Sequence, residues 1–247
     1  MAKTEWPDVL MVVRHGESSG NVARDKAEAD ELEVIDIAER DVDVPLSDLG
    51  ERQARALGAW LADLPGDERP TVLWVSPYVR AQQTAQIALE AAGLDLPTVV
   101  DERLREREFG VLDRLTRRGI VAKFPDEAER RARLGKFYHR PPGGESWSDV
   151  LLRLRGAIDD LRRDTVGERV LLVAHQVVVL LCRYVVEQMS EEQVLEVDRL
   201  GDVANCSVTS YRLVGDEMVL ERYNETAPVE EQDETVTSEP DVAAAPR

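Results

Sequence analysis

The stretch VVRHGESSGN, from Val12 to Asn21, contains two overlapping patterns of residues that could act as a nucleophile. Residues 16–20 match the G-x-S-x-G pattern, in which Ser18 would attack an ester. In α/β-hydrolases that turn follows several strands and a glycine-rich oxyanion loop, whereas only one strand-like run precedes it here. His15 stands beside the fixed positive charge of Arg14, and we therefore favour His15 as the nucleophile.

A histidine nucleophile suits phosphoryl transfer, because neutral imidazole attacks phosphorus and the rest of the catalysis is mainly positioning and positive charge. Such a site needs cations around the phosphoryl oxygens and an acid for the leaving oxygen. Arg80 lies one turn into a predicted helix that follows a strand, so its side chain can point back to the same crevice. His175 ends another strand, and Glu106 in the loop RLREREFG is placed to supply the acid.

No metal or other cofactor is expected, since two histidines, two arginines and one glutamate can do this chemistry alone. The sequence has no nucleotide-loop motif and no Cys/His spacing of a zinc site. The segment DVDVP, residues 41–45, matches the spacing of aspartate-nucleophile phosphatases that use magnesium. It follows the polar segment VIDIAER rather than a buried strand, so we predict that it is a loop.

Strands and helices alternate along the chain, which predicts an α/β fold. We expect a three-layer sandwich with a mostly parallel central sheet and helices on both faces. Ligands of such sheets bind beyond the carboxyl ends of the strands, where Arg14, His15 and His175 would lie. The predicted strands are 7–13, 71–76, 97–100 and 169–175, with a hairpin before Asn224. The predicted helices are 48–64 capped by Ser47, one from Ser76 to Gly93, 146–164 capped by Ser146, and 176–189.

Composition limits the partners. The chain has 247 residues, 31 Lys and Arg against 49 Asp and Glu, and a net charge of −18. This charge argues against nucleic acid, whose binding depends on neutralising phosphates. No run approaches the ~18 apolar residues of a membrane span, and we expect a cytoplasmic protein. Cys182 and Cys206 are predicted to be reduced structural thiols.

The charge is unevenly distributed. Residues 225–247 hold seven acidic residues and one basic residue, and we expect this tail to be disordered. Residues 1–224 would form a single domain. Within it, residues 103–140 contain twelve Lys and Arg against six Asp and Glu. This basic region indicates either an anionic small-molecule ligand or a solvated helical face, and both interpretations stay open at this point.

Several motifs in order resemble the histidine phosphatase superfamily, in its phosphoglycerate mutase-like group. They are RHGESSGN, DVPLSDLGERQARALGAWL, VSPYVRAQQTA, LREREFG, PPGGESWSDVLLRLRGAI and VLLVAH, which together span roughly residues 9–214. The resemblance implies the fold already predicted, and it implies the following roles. His15 would form a phosphohistidine, and Glu106 would protonate the leaving oxygen. The phosphoryl oxygens would be held by Arg14, Arg80 and His175. Asn21 would line the phosphate pocket, and Arg107 would contact the substrate.

Part of the chain is similar to the fructose-2,6-bisphosphatase branch of this family. Gln176 follows the second histidine, where many members have glycine, and the segment KFPDEAERRARLGKFYHRPPGGES resembles that branch's insert. In this interpretation residues 103–145 form a basic insert on the substrate side. Tyr138, His139 and Arg140 would then lie over the far end of the substrate, although for His139 an exposed loop position is equally consistent.

The resemblance implies a metal-independent phosphatase that hydrolyses a sugar phosphate or another small phosphorylated metabolite. One alternative is a phosphoglycerate mutase, which shares the phosphohistidine but excludes water from it. Another is a catalytically weak module that binds a phosphorylated ligand. We expect a small phosphorylated substrate as the partner, no nucleic acid, no membrane, and a monomer or homodimer.

Overall fold

A six-stranded sheet forms the centre of the protein, whose computed structural model describes residues 6–238. The strands are β1 (Val9–Arg14), β2 (Val72–Val75), β3 (Thr98–Val100), β4 (Arg169–Ala174), β5 (Val208–Val214) and β6 (Glu217–Glu225). Their order is β3-β2-β4-β1-β5-β6, and the first four are parallel. β5 and β6 are the antiparallel hairpin predicted at the C-terminal end.

Helices cover both faces of this sheet. They are α1 (Ser19–Ala29), α2 (Asp48–Asp63), α3 (Val79–Ala92), α4 (Arg117–Lys123), α5 (Pro125–Leu134), α6 (Trp147–Asp164), α7 (Gln176–Val186), α8 (Glu191–Leu200) and the short α9 (Ala227–Glu230). The predicted helices correspond to α2, α3, α6 and α7. Helices α1, α4, α5, α8 and α9 were not predicted from the sequence.

Alternate side chains of the central strands point into two separate cores. In β1, Leu10 and Val12 pack in one core with residues of α6 and α7, whereas Met11 and Val13 pack in the other with residues of α2 and α3. A strand buried on both faces must be apolar along its whole length. This explains the continuous run VLMVV, and the two cores confirm the predicted three-layer α/β sandwich.

Helix ends follow the predicted capping residues at three positions. The Ser47 side chain accepts a hydrogen bond from the Gly50 amide and starts α2. Ser146 forms a capping box at the start of α6. Gly93 ends α3 in the left-handed conformation that glycine adopts without strain. These local signals therefore set the bounds of the helices that support the sheet.

The chain stays ordered beyond the predicted domain end at residue 224. Residues 225–238 complete β6, form α9 and continue along the domain, where Val229 is fully buried in the core beside α2. The Gln53 side chain donates hydrogen bonds to the Thr235 carbonyl (2.9 Å) and the Thr237 hydroxyl (2.9 Å). The prediction of disorder is wrong for 225–238, because apolar residues anchor this acidic segment; residues 239–247 lie outside the described residues.

Two other expectations concern thiols and membranes. Cys182 and Cys206 are both buried and unpaired with each other, and burial raises the pKa of the Cys182 thiol to about 12. Over residues 6–238, none of the helices combines the length and the apolar character that crossing a bilayer requires.

Candidate active site

The carboxyl ends of β1 and β4 bring two histidines together. The strands are parallel neighbours and Arg14 pairs with Ala174, so His15 and His175 leave the sheet side by side. Their ring centroids are 5.2 Å apart in an edge-to-face arrangement. β2 pairs with the other side of β4 and delivers Ser76 to the same edge. The topology therefore produces the convergence that the sequence predicted.

His15 is held as a neutral imidazole with one nitrogen directed at a cation. Its Nδ1 lies 2.7 Å from the Gly16 carbonyl oxygen, which can only accept, so the proton is on Nδ1 and the lone pair is on Nε2. Burial, and next the positive charges of Arg80 and Arg14, hold the pKa of His15 well below 6.5. A neutral ring whose Nε2 carries the lone pair is the state that a nucleophile requires.

Two guanidinium groups flank this imidazole. Arg14 donates from Nη1 to the Gln176 side chain (3.0 Å) and to the Val203 carbonyl (2.5 Å). Arg80, in the first turn of α3, donates from Nε to Nε2 of His15 (3.2 Å). Both arginine side chains are almost fully buried, so their charges act in a medium where water screens them little.

Asp41 completes the surroundings of Arg80. Nη1 of Arg80 donates to the Asp41 carbonyl (2.6 Å) and to its carboxylate (2.9 Å). Asp41 lies in a short 3₁₀ turn, residues 41–43, which agrees with the loop predicted for DVDVP. The carboxylate neutralises a cation that would otherwise be buried beside another cation, and it would compete with a phosphoryl group for the same guanidinium.

His175 is completely buried and does not line the cavity in front of His15. Its Nε2 lies 2.8 Å from the Ser76 hydroxyl, and its Nδ1 lies 3.9 Å from a carboxylate oxygen of Glu106. Burial and then the charge of Arg80 hold its pKa well below 6.5. The prediction that Ser76 caps α3 is wrong: the helix begins two residues after Pro77, and the hydroxyl orients the histidine instead.

Glu106 lies on the cavity wall in a loop without regular structure. One carboxylate oxygen accepts from the Arg107 amide (2.7 Å), and the other is the oxygen near His175. Arg153 of α6 fixes the loop by donating to the main-chain carbonyls of Arg105 (2.9 Å) and Glu106 (3.0 Å). The carboxyl group is thus held within the same cavity as His15, as predicted.

Ser18 and Asn21 form the start of α1, which opens into the cavity. The Ser18 hydroxyl donates to the Asn21 side chain (2.7 Å) and accepts from the Asn21 amide (3.1 Å). This reciprocal capping box explains the G-x-S-x-G match as a helix start. The N-terminal end of a helix favours an anion, so Asn21 and this helix end add positive potential beside His15.

The cavity brings together most of the predicted site residues. Its lining includes Arg14, His15, Asn21, Arg80, Glu106 and Gln176. Arg107 lies elsewhere: it is buried, and its guanidinium stacks 4.5 Å from the centre of the Phe109 ring. The structure therefore does not support a direct substrate contact by Arg107.

The predicted distal cluster is also displaced from the cavity. Tyr138 is exposed and its hydroxyl bonds to Glu191 of α8. Arg140 is exposed and donates to the Gly144 carbonyl (3.1 Å). His139 is buried against Glu127 (3.1 Å) rather than exposed in a loop. Contrary to the prediction, none of these three side chains lines the cavity in front of His15; Phe137, which precedes them in the chain, packs in the core.

Three residues that position the segment around His15 were not predicted. The Asn205 side chain donates to the His15 carbonyl (2.8 Å), and the Thr84 hydroxyl accepts from the Gly16 amide (3.0 Å). Thr237 in turn donates to the Asn205 side chain (3.0 Å). Each contact joins segments far apart in the chain, so no local pattern could have revealed it.

The fold and this site define an α/β enzyme of phosphoryl transfer, with a neutral histidine between two guanidiniums at the carboxyl edge of a parallel sheet. The chain belongs to the histidine phosphatase superfamily (branch 1), whose family model matches residues 10–226. As a member of that superfamily it is an enzyme acting on phosphomonoesters.

Comparisons with individual proteins agree with this assignment. The chain is 33% identical over 193 residues to 2,3-bisphosphoglycerate-dependent phosphoglycerate mutase 2 of Gloeobacter violaceus, covering 77% of this chain and 80% of that one. It is 32% identical over 173 residues to 6-phosphofructo-2-kinase/fructose-2,6-bisphosphatase of Caenorhabditis elegans, covering 70% of this chain and 32% of that protein. A mycobacterial glucosyl-3-phosphoglycerate phosphatase solved with VO₃ superposes with a TM-score of 0.69 at 26% identity, over 89% of this chain and 100% of that one.

Proposed function

We propose that this enzyme hydrolyses phosphomonoesters of small metabolites through a phosphohistidine on His15, without a metal ion. The observation that carries the proposal is the state of His15. Its ring is neutral, its tautomer is fixed by the Gly16 carbonyl, and its Nε2 lies on the cavity beside the Arg80 guanidinium. Arg14 and Arg80 supply the positive charge that a metal ion provides in other phosphatases.

In the first step Nε2 of His15 attacks phosphorus and the bond from phosphorus to the leaving oxygen breaks. Glu106 gives its proton to that oxygen, which departs as an alcohol. Arg14 and Arg80 hold the phosphoryl oxygens while charge develops on them, and we assign to the buried His175 the positioning of Glu106 from behind the cavity wall. In the second step Glu106 takes a proton from water, the water oxygen attacks phosphorus, and the bond to Nε2 breaks to release phosphate.

Hydrolysis of p-nitrophenyl phosphate with EDTA present tests the proposal. We expect the wild type to be active and His15→Ala to lose activity by at least about 10³-fold, because the nucleophile is gone. Ser18→Ala serves as the control, because its hydroxyl acts as a helix cap; we expect it to keep most of the activity. Full activity of His15→Ala, or loss of wild-type activity in EDTA, would contradict the mechanism.

The balance between water and a second acceptor needs its own measurement, because one relative is a mutase by name. We expect 3-phosphoglycerate to be converted to free phosphate and not to 2-phosphoglycerate. Isomerisation faster than phosphate release would identify a mutase instead. Phosphate release near background across phosphorylated metabolites would indicate a binding module. Cytoplasmic location and a monomeric or homodimeric state stay predictions.

A further inference from the structure

The outer part of the cavity, beyond the residues around His15, is rich in carboxylates. Glu39, Asp41 and Asp113 all line it. They come from two separate loops, one between α1 and α2 and one between β3 and α4. A leaving group attached to a phosphate at His15 would extend toward this wall, so its charge decides which leaving groups are accepted.

Two arginines also line this region, and both interact with its acidic groups. Arg114 donates from Nη2 to the Glu39 carbonyl (2.8 Å), and its Nε lies 3.9 Å from the Asp113 carboxylate. Arg24 lies near enough for its charge to lower the pKa of Asp113. Burial and the negative charge of Asp41 nevertheless raise the pKa of Asp113 above its ordinary value. The surroundings of Asp113 therefore disfavour a negative charge there in spite of both arginines.

The basic region of residues 103–140 does not change this balance. Among its twelve cations, all within the described part of the chain, only Arg114 lines the cavity. Others are paired away from the cavity, as Arg118 is with Glu31, Lys123 with Glu33 and Lys136 with Asp198. Apart from Arg114, the basic residues of the region 103–140 therefore do not face the cavity.

The remaining wall of the outer cavity is apolar. It is formed by the side chains of Ile35, Ile37, Val44, Phe109 and Val177. An apolar wall gives no hydrogen bond to a second anionic group, and it contacts carbon atoms of a leaving group favourably.

We propose that this outer cavity selects phosphomonoesters whose leaving group is an uncharged alcohol or sugar, and disfavours those that carry a carboxylate or a second phosphate. The inference rests on the proposed phosphatase function. A second anion would lie against Glu39 and Asp113, where like charges repel. Hydroxyl groups could instead donate hydrogen bonds to the same carboxylates, which accept but cannot donate when ionised.

A matched pair of substrates tests the inference in the full chain. Glycerol 3-phosphate and 3-phosphoglycerate differ only in whether the terminal carbon is a hydroxymethyl or a carboxylate group. We expect kcat/KM to be higher for glycerol 3-phosphate by about tenfold or more. Equal values, or a preference for 3-phosphoglycerate, would refute the inference without any variant.

The double variant E39Q/D113N provides the second measurement. The ratio of kcat/KM for 3-phosphoglycerate to that for glycerol 3-phosphate should rise about tenfold, because two repelling charges are removed. The control D216N/E217Q removes the same charge from the exposed β5–β6 turn at the opposite edge of the sheet, and it should leave the ratio unchanged. An unchanged ratio in E39Q/D113N would overturn the assignment of these residues.

Activity on p-nitrophenyl phosphate separates this inference from the proposed function. No His15-dependent turnover of that compound would refute the phosphatase function, and the inference would fail with it. His15-dependent turnover together with a preference for 3-phosphoglycerate would uphold the phosphatase and refute only the selectivity proposed here.

Discussion

Acidification from pH 7.5 to 5.5 should destabilise this protein more than its carboxylates alone would predict, because all three of its histidines are buried. Burial and then the charge of Arg80 keep the pKa of His15 and of His175 well below 6.5. Burial also lowers the pKa of His139, where the Glu127 carboxylate opposes the shift. The folded protein therefore resists protonation that the unfolded chain accepts.

The sign and size of the effect follow from linkage. In the unfolded chain each imidazole recovers a pKa near 6.5, so below that pH the unfolded state binds protons that the folded state does not. The contribution of the neutral histidines to the free energy of unfolding is complete above pH 6.5, and it is lost as the pH falls below that value. Between pH 7.5 and pH 5.5, each histidine that stays neutral in the folded protein lowers the free energy of unfolding by about 1 to 1.5 kcal/mol. His15 and His175 together cost about 3 kcal/mol, and His139 adds a smaller amount.

Urea unfolding at pH 7.5, 6.5 and 5.5 and constant ionic strength measures this loss. In His15→Asn one titrating group is absent, so the loss between the extreme pH values should shrink by about 1 kcal/mol, whatever the variant's stability at pH 7.5. The exposed Glu217→Gln is the control and should show the wild-type difference. The reasoning is refuted if the wild type loses less than about 1 kcal/mol, or if His15→Asn shows the same pH dependence.

Further substitutions test the contacts that orient the site. Ser76→Ala removes the hydroxyl that bonds to His175 (2.8 Å), and it should lower the free energy of unfolding by about 1 to 3 kcal/mol and also lower kcat. The control Ser210→Ala removes another buried hydroxyl, in β5. It should lower the thermal stability of the protein and leave kcat at 25 °C unchanged. Equal kcat values in the two variants would show that Ser76 does not orient His175 for catalysis. Thr237→Val breaks the bonded chain through Asn205 to the nucleophile; it should reduce kcat several-fold with little change in KM, and an unaltered kcat would show that the C-terminal segment is only structural.

The layered fold could be predicted because its signals are local. Strands buried on both faces need continuous apolar runs such as VLMVV, and serine caps at residues 47 and 146 mark where helices begin. Parallel strands place their carboxyl ends at one edge, so the sequence alone placed His15 and His175 together. Arg80 and Glu106, which line the same cavity as His15, followed from residue type and position in the same way.

The sequence-based predictions were wrong where buried apolar residues or long-range contacts determine the structure. Residues 225–238 are acidic overall, yet Val229 buries itself beside α2 and orders the segment. The basic region has the right composition for an anion site, but its cations are paired at other surfaces. Composition counts charges without locating their partners, and therefore it could not show that the outer cavity is lined by carboxylates.

The sequence by itself determined the class of fold and the placement of His15 with the cations beside it, because each depends on a residue type at a strand end or in a helix turn. Only the tertiary structure decided which side chains hold these residues in place. Ser76 meets a histidine 99 residues away, and Asn205 holds a carbonyl 190 residues away. Hydrogen bonds act only over short distances and in particular directions, so these partners exist only once the chain has folded around them.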